Sequence, residues 1–284
     1  MRFPARSFLS FVFLILFASA LIAQTQQPTP APQPTDPQAA ALLARSAAAL
    51  SGTAPLSDIT LTGTARRIAG SDDESGQGIL KALASGAGRT DLSLPSGTHS
   101  EVQNGSSASP SGTWSGPDGV AHAIAFHNLL AAPAWFFRTF VISQKLATSG
   151  YVATYVGHET HNAQAVEHVS LSQPLAGSTD TAALFQHLSQ IEIYLDSTTF
   201  LPAAISFNVH PDNNASLDIP SEIRYSDYRS VGAGVGAGFS PSSSSAPQIP
   251  FHIQKYLNNT LVLDFQAQTV TLNSGLSASG FTVQ

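Results

Sequence analysis

The chain has 284 residues, a formal net charge of −6 and no cysteine. Without cysteine it forms neither disulfides nor thiolate metal sites, so its stability must come from an apolar core. Its 18 acidic residues outnumber its 12 lysines and arginines. Such a composition lacks the clustered cations that nucleic acids and anionic membrane surfaces require. We therefore expect no nucleic acid among its partners.

The N-terminus has the order of segments found in a secretory signal peptide. Basic residues precede the apolar run 8–18, which small residues follow. That run is shorter than the ~20 residues that a membrane-spanning helix needs, although a retained anchor is the alternative. A bacterial lipid anchor would need a cysteine after the cleavage site, and the chain has no cysteine. We predict a signal peptide over residues 1–23, cleaved near Ala20 or Ala23, and hence a periplasmic or secreted protein with no stable membrane span after processing.

A proline-rich segment separates this signal from the first regular element. Residues 24–37 read QTQQPTPAPQPTDP, which cannot bury a core and predicts an extended tether. The alanine-rich stretch Gln38–Leu50 follows and predicts a short helix. Asp36 is suited to cap it, Pro37 to occupy the first helical position, and Gly52 to end it.

Beyond this helix, apolar and polar residues alternate with the period of two that a half-buried strand requires. Ile59 and Leu61 begin the first such pattern, which returns at 191–196, 205–209 and 261–265. One apolar face and one wetter face are typical of an antiparallel sheet that is covered on one side. The pattern predicts a fold that is mostly β.

One segment between the strands has apolar residues at helical spacing. Val120–Leu146 predicts a helical insertion that Pro133 breaks into two short helices. The second contains the densest aromatic group of the chain, which is Trp135, Phe136, Phe137 and Phe140. These rings serve either as core residues that plug the sheet or as a lid over a ligand.

Three Gly/Ser-rich stretches, residues 71–78, 96–112 and 232–247, predict polar loops. The last is low-complexity sequence that interrupts two strand patterns. We expect it to be an insertion in a single domain that spans residues 38–284.

No motif in the sequence supports catalysis. His158, His161 and His168 lie close together, but they lack the spacing of an H-E-x-x-H zinc motif. The first two are expected on an exposed hairpin turn over 157–163. No G-x-S-x-G nucleophile elbow occurs. We predict no catalytic residue, no metal and no cofactor, and a metal-dependent hydrolase that uses these histidines is the least favoured alternative.

The C-terminal third combines several strand and turn motifs, and Trp114 lies beside a Gly-Pro-Asp-Gly turn further upstream. The motifs are Ile191–Asp196 followed by Thr199-Phe200-Leu201-Pro202, Tyr225–Arg229 followed by Ile249-Pro250-Phe251, and Thr269–Asn273 followed by Phe281. Together with the signal peptide, the first helix and the helical insertion, this order resembles the LolA-like superfamily of periplasmic lipoprotein and lipid carriers.

The resemblance implies an α+β, mostly β fold, in which a twisted antiparallel sheet forms an incomplete, half-open barrel. Helices would cover its concave face and leave an apolar cavity. It also implies a non-enzymatic protein whose partner is a hydrophobic ligand such as a lipid, an acyl chain or the tail of an acylated protein. The residues expected to contact that ligand are Leu61, Trp114, Trp135, Phe136, Phe137, Phe140, Ile193, Leu195, Ile205, Phe207, Phe251, Ile253, Leu261, Leu263 and Phe265.

A second function is open on the same fold. A protein-interaction or envelope-stress sensing module would contact an envelope protein partner through the sheet edge or the helices. It predicts a filled core and an exposed apolar patch, whereas a carrier predicts a continuous apolar cavity.

Overall fold

The computed structural model describes residues 35–52, 55–106, 109–131, 135–146, 150–174, 179–232 and 246–282. The predicted signal peptide, most of the tether and most of the low-complexity insertion lie outside these residues. Within the described ranges, no helix combines the length and the apolar character that crossing a membrane requires.

The strands are β1 (Asp58–Ala69), β2 (Asp72–Leu83), β3 (Gly88–Leu94), β4 (Gly97–Gln103), β5 (Gly112–Ser115), β6 (Ala121–Ala123), β7 (Val152–His161), β8 (Gln164–Ser172), β9 (Ile191–Asp196), β10 (Pro202–Val209), β11 (Ile219–Ser230), β12 (Gln248–Leu257) and β13 (Thr260–Leu272). The helices are α1 (Pro37–Ser51), α2 (Phe126–Leu129), α3 (Arg138–Lys145) and α4 (Thr179–Leu188), with 3-10 turns at Trp135–Phe137 and Ala278–Phe281.

The thirteen strands of the described residues form one antiparallel sheet in the order β6-β5-β4-β3-β2-β1-β13-β12-β11-β10-β9-β8-β7. The first and last strands pair at its centre, and each half of the chain runs outward as a meander. The sheet is not closed, because β6 and β7 form its two edges. The segment that contains α2 and α3 joins these edges along the chain. The predicted α+β, incomplete-barrel class is therefore confirmed.

Helix α1 forms where the sequence predicts it. The Asp36 side chain accepts a hydrogen bond from the Gln38 amide at 2.7 Å, Pro37 takes the first helical position, and Gly52 ends the helix. The Asp36 amide also donates to the Ala153 carbonyl at 2.8 Å, which fastens the start of α1 to β7. An N-cap of this kind satisfies one of the donors that a helix end leaves free.

One large hydrophobic core lies between α1 and the sheet face that carries Ile59, Leu61 and Ala65 of β1, called here the inner face. Leu42, Leu43 and other apolar residues of α1 are buried against it. Burying each large aliphatic side chain stabilises the fold by roughly 1.5–3 kcal/mol, so this contact fixes the helix on the sheet.

Several predicted boundaries are wrong. The stretch predicted as a helix from Val120 begins instead as β6, which pairs with β5, and α2 is a single turn. Of the stretches predicted as loops, residues 71–78 contain the first part of β2 and residues 96–112 contain all of β4. Glycine explains why β2 lacks an apolar alternation. A Cβ on Gly78 would lie 2.9 Å from the Phe265 ring, so glycine here leaves room for a large neighbour on the inner face.

Asp58 fastens the C-terminal segment to the start of β1. Its buried carboxylate accepts hydrogen bonds from the amide and hydroxyl of Ser274, each at 2.8 Å, and from the Gly275 amide at 3.0 Å. Burial alone would raise the pKa of Asp58, but the hydrogen bonds from Ser274, Ser57 and Gly275 outweigh it and lower the pKa below its usual 3.8.

We predict that Asp58→Asn lowers the free energy of unfolding at pH 7 by about 1–3 kcal/mol, since charged hydrogen bonds to buried groups are lost. A depressed folded-state pKa stabilises the protein above the unfolded pKa and stops doing so as the pH falls through the folded value. The difference from wild type should therefore shrink at pH 3 in urea unfolding. Asp72→Asn, at an exposed position, is the control. An equal difference at both pH values would contradict this account.

Candidate functional site

A cavity of about 680 Å³ opens at one end of the inner face. It lies where β1 and β12 end and β13 begins, with β3, β4 and β5 on one side. The 3-10 turn that contains Trp135 also contributes to its lining. The apolar lining comes mainly from Leu92, Trp114, Trp135, Val209, Leu257 and Leu263.

Strand register places two cations in this lining. Lys255 of β12 pairs with Leu263 of β13, and Leu263 pairs in turn with Arg67 of β1. The three residues form one row across adjacent strands. With strands about 4.8 Å apart, the Cα atoms of the two cationic residues lie about 10 Å apart, on either side of Leu263.

Alternation along the strands explains why these cations face inward. Lys255 follows Ile253 at the next inward position of β12, and Arg67 follows Ala65 on β1 in the same way. Arg66 points to the outer face, where its guanidinium binds Asp73 through two nitrogens, one of them 2.7 Å from the carboxylate. Adjacent arginines therefore have different surroundings.

The charges around the cavity are not balanced by ion pairs. In the described part of the chain, neither Arg67 nor Lys255 forms a salt bridge. The Lys255 ammonium lies 5.3 Å from the centre of the Trp135 ring, within the range of a cation–π contact. Burial, and next the charge of Arg67, lower the pKa of His99, which also lines the cavity.

Two carboxylates lie nearby and are engaged elsewhere. Glu101 lines the cavity and accepts a hydrogen bond from the Gln103 amide at 2.7 Å. Glu74 stands opposite Arg67 on β2, but its carboxylate accepts from the amide and hydroxyl of Ser96, at 2.9 and 2.7 Å.

The aromatic residues divide between the cavity and the core. Trp135 is 4% exposed, and the Tyr225 hydroxyl donates to its carbonyl at 2.5 Å. Phe136 and Phe137 are buried, and the voids they line have volumes of about 10 Å³ each, scarcely room for one water. In this conformation all three rings are buried, and Trp135 is the one that borders the cavity.

Of the residues predicted to contact a ligand, the structure places Trp114, Trp135 and Leu263 along the cavity. Leu261 is partly exposed and lies opposite Tyr256. The side chain of Phe140 lies outside the described residues. The others are buried in the core, and they are Leu61, Phe136, Phe137, Ile193, Leu195, Ile205, Phe207, Phe251, Ile253 and Phe265.

Sequence reasoning missed Lys255, Leu92 and Val209 as lining residues. The resemblance offers Arg66 and Arg67 as candidates for contact with a lipid, and of these only Arg67 lines the cavity. The alternation Phe251, Ile253, Lys255 was a usable signal for an inward lysine.

The histidines of the β7–β8 hairpin do not converge. His158 contacts Glu167 at 3.0 Å, His161 contacts Glu222 at 3.2 Å, and His168 contacts Glu192 at 2.7 Å. The turn is also shorter than predicted, since β7 runs to His161 and only two residues connect it to β8. Each imidazole thus has a different carboxylate partner, and the hydrolase hypothesis lacks the common metal position that it requires.

A different group converges at the end of the β10–β11 connection. His187 of α4 and buried His210 each place Nε2 3.0 Å from one oxygen of Asp218, and the three donor atoms lie within 4.8 Å of one another. These residue types could hold a transition metal. The hydrogen bonds of Asp218 with His187 and His210 link α4 to the connection between β10 and β11. The bond with His187 contributes most to lowering the pKa of Asp218. The sequence analysis missed this group because α4 was not predicted.

Two solved structures are similar to this chain. An outer membrane lipoprotein-sorting protein domain from Vibrio parahaemolyticus has a TM-score of 0.53 at 11% identity, covering 86% of this chain and 96% of that one. A LolA superfamily protein from Nitrosomonas europaea has a TM-score of 0.49 at 12% identity, covering 86% and 97%. No protein-family model and no curated protein matches the sequence. The chain has a LolA-like fold, as the resemblance implied.

Both tryptophans of the chain line the cavity, and their exposure differs. Trp114 is 45% exposed and Trp135 is 4% exposed. We predict that acrylamide quenches the emission of Trp135→Phe, which retains Trp114, several times more strongly than that of Trp114→Phe, because the quencher must touch the ring. Equal quenching of the two variants would show that Trp135 is not packed as described.

Proposed function

We propose that this chain is a non-enzymatic, exported envelope protein that binds a hydrophobic ligand in the cavity beside Trp135. The ligand would be an acyl chain, a lipid or the tail of a lipoprotein. The mature protein would act in the periplasm or outside the cell, after loss of the signal peptide predicted over residues 1–23.

The observation that carries this proposal is the cavity itself. Its volume of about 680 Å³ falls within the roughly 300–1,000 Å³ typical of small-molecule sites. Each acyl methylene that it removes from water stabilises the complex by ~0.8 kcal/mol, so binding of this kind needs no catalytic group.

The open cavity supports ligand binding over the protein-interaction or stress-sensing alternative, which predicts a filled core. The cavity walls come mainly from seven strands of one sheet, and a 3-10 turn contributes Trp135.

Native mass spectrometry with lipid extraction would test the proposal directly. We expect mature protein purified without detergent from the envelope fraction to carry acyl lipid. A ligand-free mass, together with no uptake of monooleoylglycerol on titration, would contradict the proposal and favour the interaction module.

A substitution in the lining should weaken binding. We predict that Leu257→Asn raises the Kd for monooleoylglycerol about tenfold, since a polar amide would be buried against the acyl chain without a partner. Fluorescence of Trp114 and Trp135 reports the binding. Leu217→Asn is the matched control, because Leu217 is an exposed leucine outside the lining. Equal effects of the two substitutions would place the ligand elsewhere.

A further inference from the structure

We propose that the cavity selects amphiphiles whose head group is an anion, a carboxylate or a phosphate, and that Arg67 and Lys255 hold that anion. This inference rests on the proposed function, because it assigns the head group of the same ligand. The acyl chain would contact the apolar lining, and the head group would bind Arg67 and Lys255.

The position of the cations is the first argument. Arg67 and Lys255 flank Leu263 in one row across β1, β13 and β12. Both side chains are partly buried and line the same cavity. An anion held between them would sit at the boundary of the apolar lining, where the acyl chain of an amphiphile begins.

The effect of ligand entry on these charges is the second argument. A ligand that fills the cavity removes water from Arg67 and Lys255. A neutral ligand would leave both charges desolvated without a partner, which is costly. An anionic head group offers each of them a charge-assisted hydrogen bond, which is stronger than a neutral one.

The remaining charges near the cavity do not supply that partner. Glu101 is hydrogen-bonded to Gln103, and Glu74 is hydrogen-bonded to Ser96. Burial and the charge of Arg67 lower the pKa of His99, which disfavours its protonated, cationic form. The cations in the lining therefore exceed the carboxylates by two to one.

The overall charge of the protein is the third argument. The chain carries a net charge of −6, so its surface as a whole does not attract anions. Attraction of an anion must be local, and it should respond to salt because partly exposed charges are screened.

The experiment compares ligands with one oleoyl chain and different head groups, each below its aggregation concentration. Tryptophan fluorescence measures the Kd of oleate, of oleoyl lysophosphatidylglycerol and of neutral monooleoylglycerol. We expect at least one anionic probe to bind about tenfold more tightly than the neutral one, with the preference reduced at 500 mM salt. Tight binding of oleate alone would identify a fatty acid, and tight binding of the phosphate probe alone a phospholipid.

The double variant Arg67→Gln/Lys255→Gln should abolish the preference, so that the anionic probes bind no more tightly than monooleoylglycerol. Arg66→Gln/Lys81→Gln removes the same charge from the outer face and should retain the preference. Thermal unfolding shows whether both variants fold. The comparison of probes on the unmodified protein tests the proposal even if a variant does not fold.

Two failures are distinguishable. If monooleoylglycerol binds as tightly as both anionic probes, the head-group assignment is wrong while the proposed function stands. If none of the three probes binds, the proposed function itself fails.

Discussion

The pairing of β1 with β13 is the contact on which the rest of the structure depends. It joins the first and last strands in antiparallel register, with Ile59 opposite Leu272 and Ala65 opposite Phe265. A slip of one residue would turn every inward side chain of one strand to the outer face. Because this pair lies at the centre of the sheet, both edges fall in the middle of the chain. The segment containing α2 and α3 must therefore connect β6 to β7.

The core and the cavity share the same strands. Along β1, the inward positions run from Ile59 and Leu61 in the core to Arg67 at the cavity. Along β12 they run from Ile253 to Lys255. Helix α1 covers the apolar end with Leu42, Leu43 and Leu50. The cavity walls are thus continuous with the hydrophobic core, which holds their residues in fixed positions.

The sequence contained much of the fold and little of the site. The period-two patterns and the Asp36 cap predicted α1 and the apolar strands, because burial on one face leaves a visible alternation. The alternation is not visible in β2, where Gly78 makes room for Phe265. The site was harder to predict, because Arg67 and Lys255 are far apart in the sequence and are brought into one row only by their strands' pairing with β13. Ranking residues by apolar character selected core positions such as Ile205, which pack against protein and leave no space for a ligand.

The inward cations depart from the rule that otherwise organises this sheet. An apolar residue at Lys255 would continue the pattern of Phe251 and Ile253 and bury more surface. The chain has 12 lysines and arginines in all, so placing two of them in one row of the inner face is not explained by a general abundance of cations. Departures from local consistency are expected at functional positions, where stability is given up for binding. The same register that stabilises the sheet centre therefore also sets the spacing of the two charges.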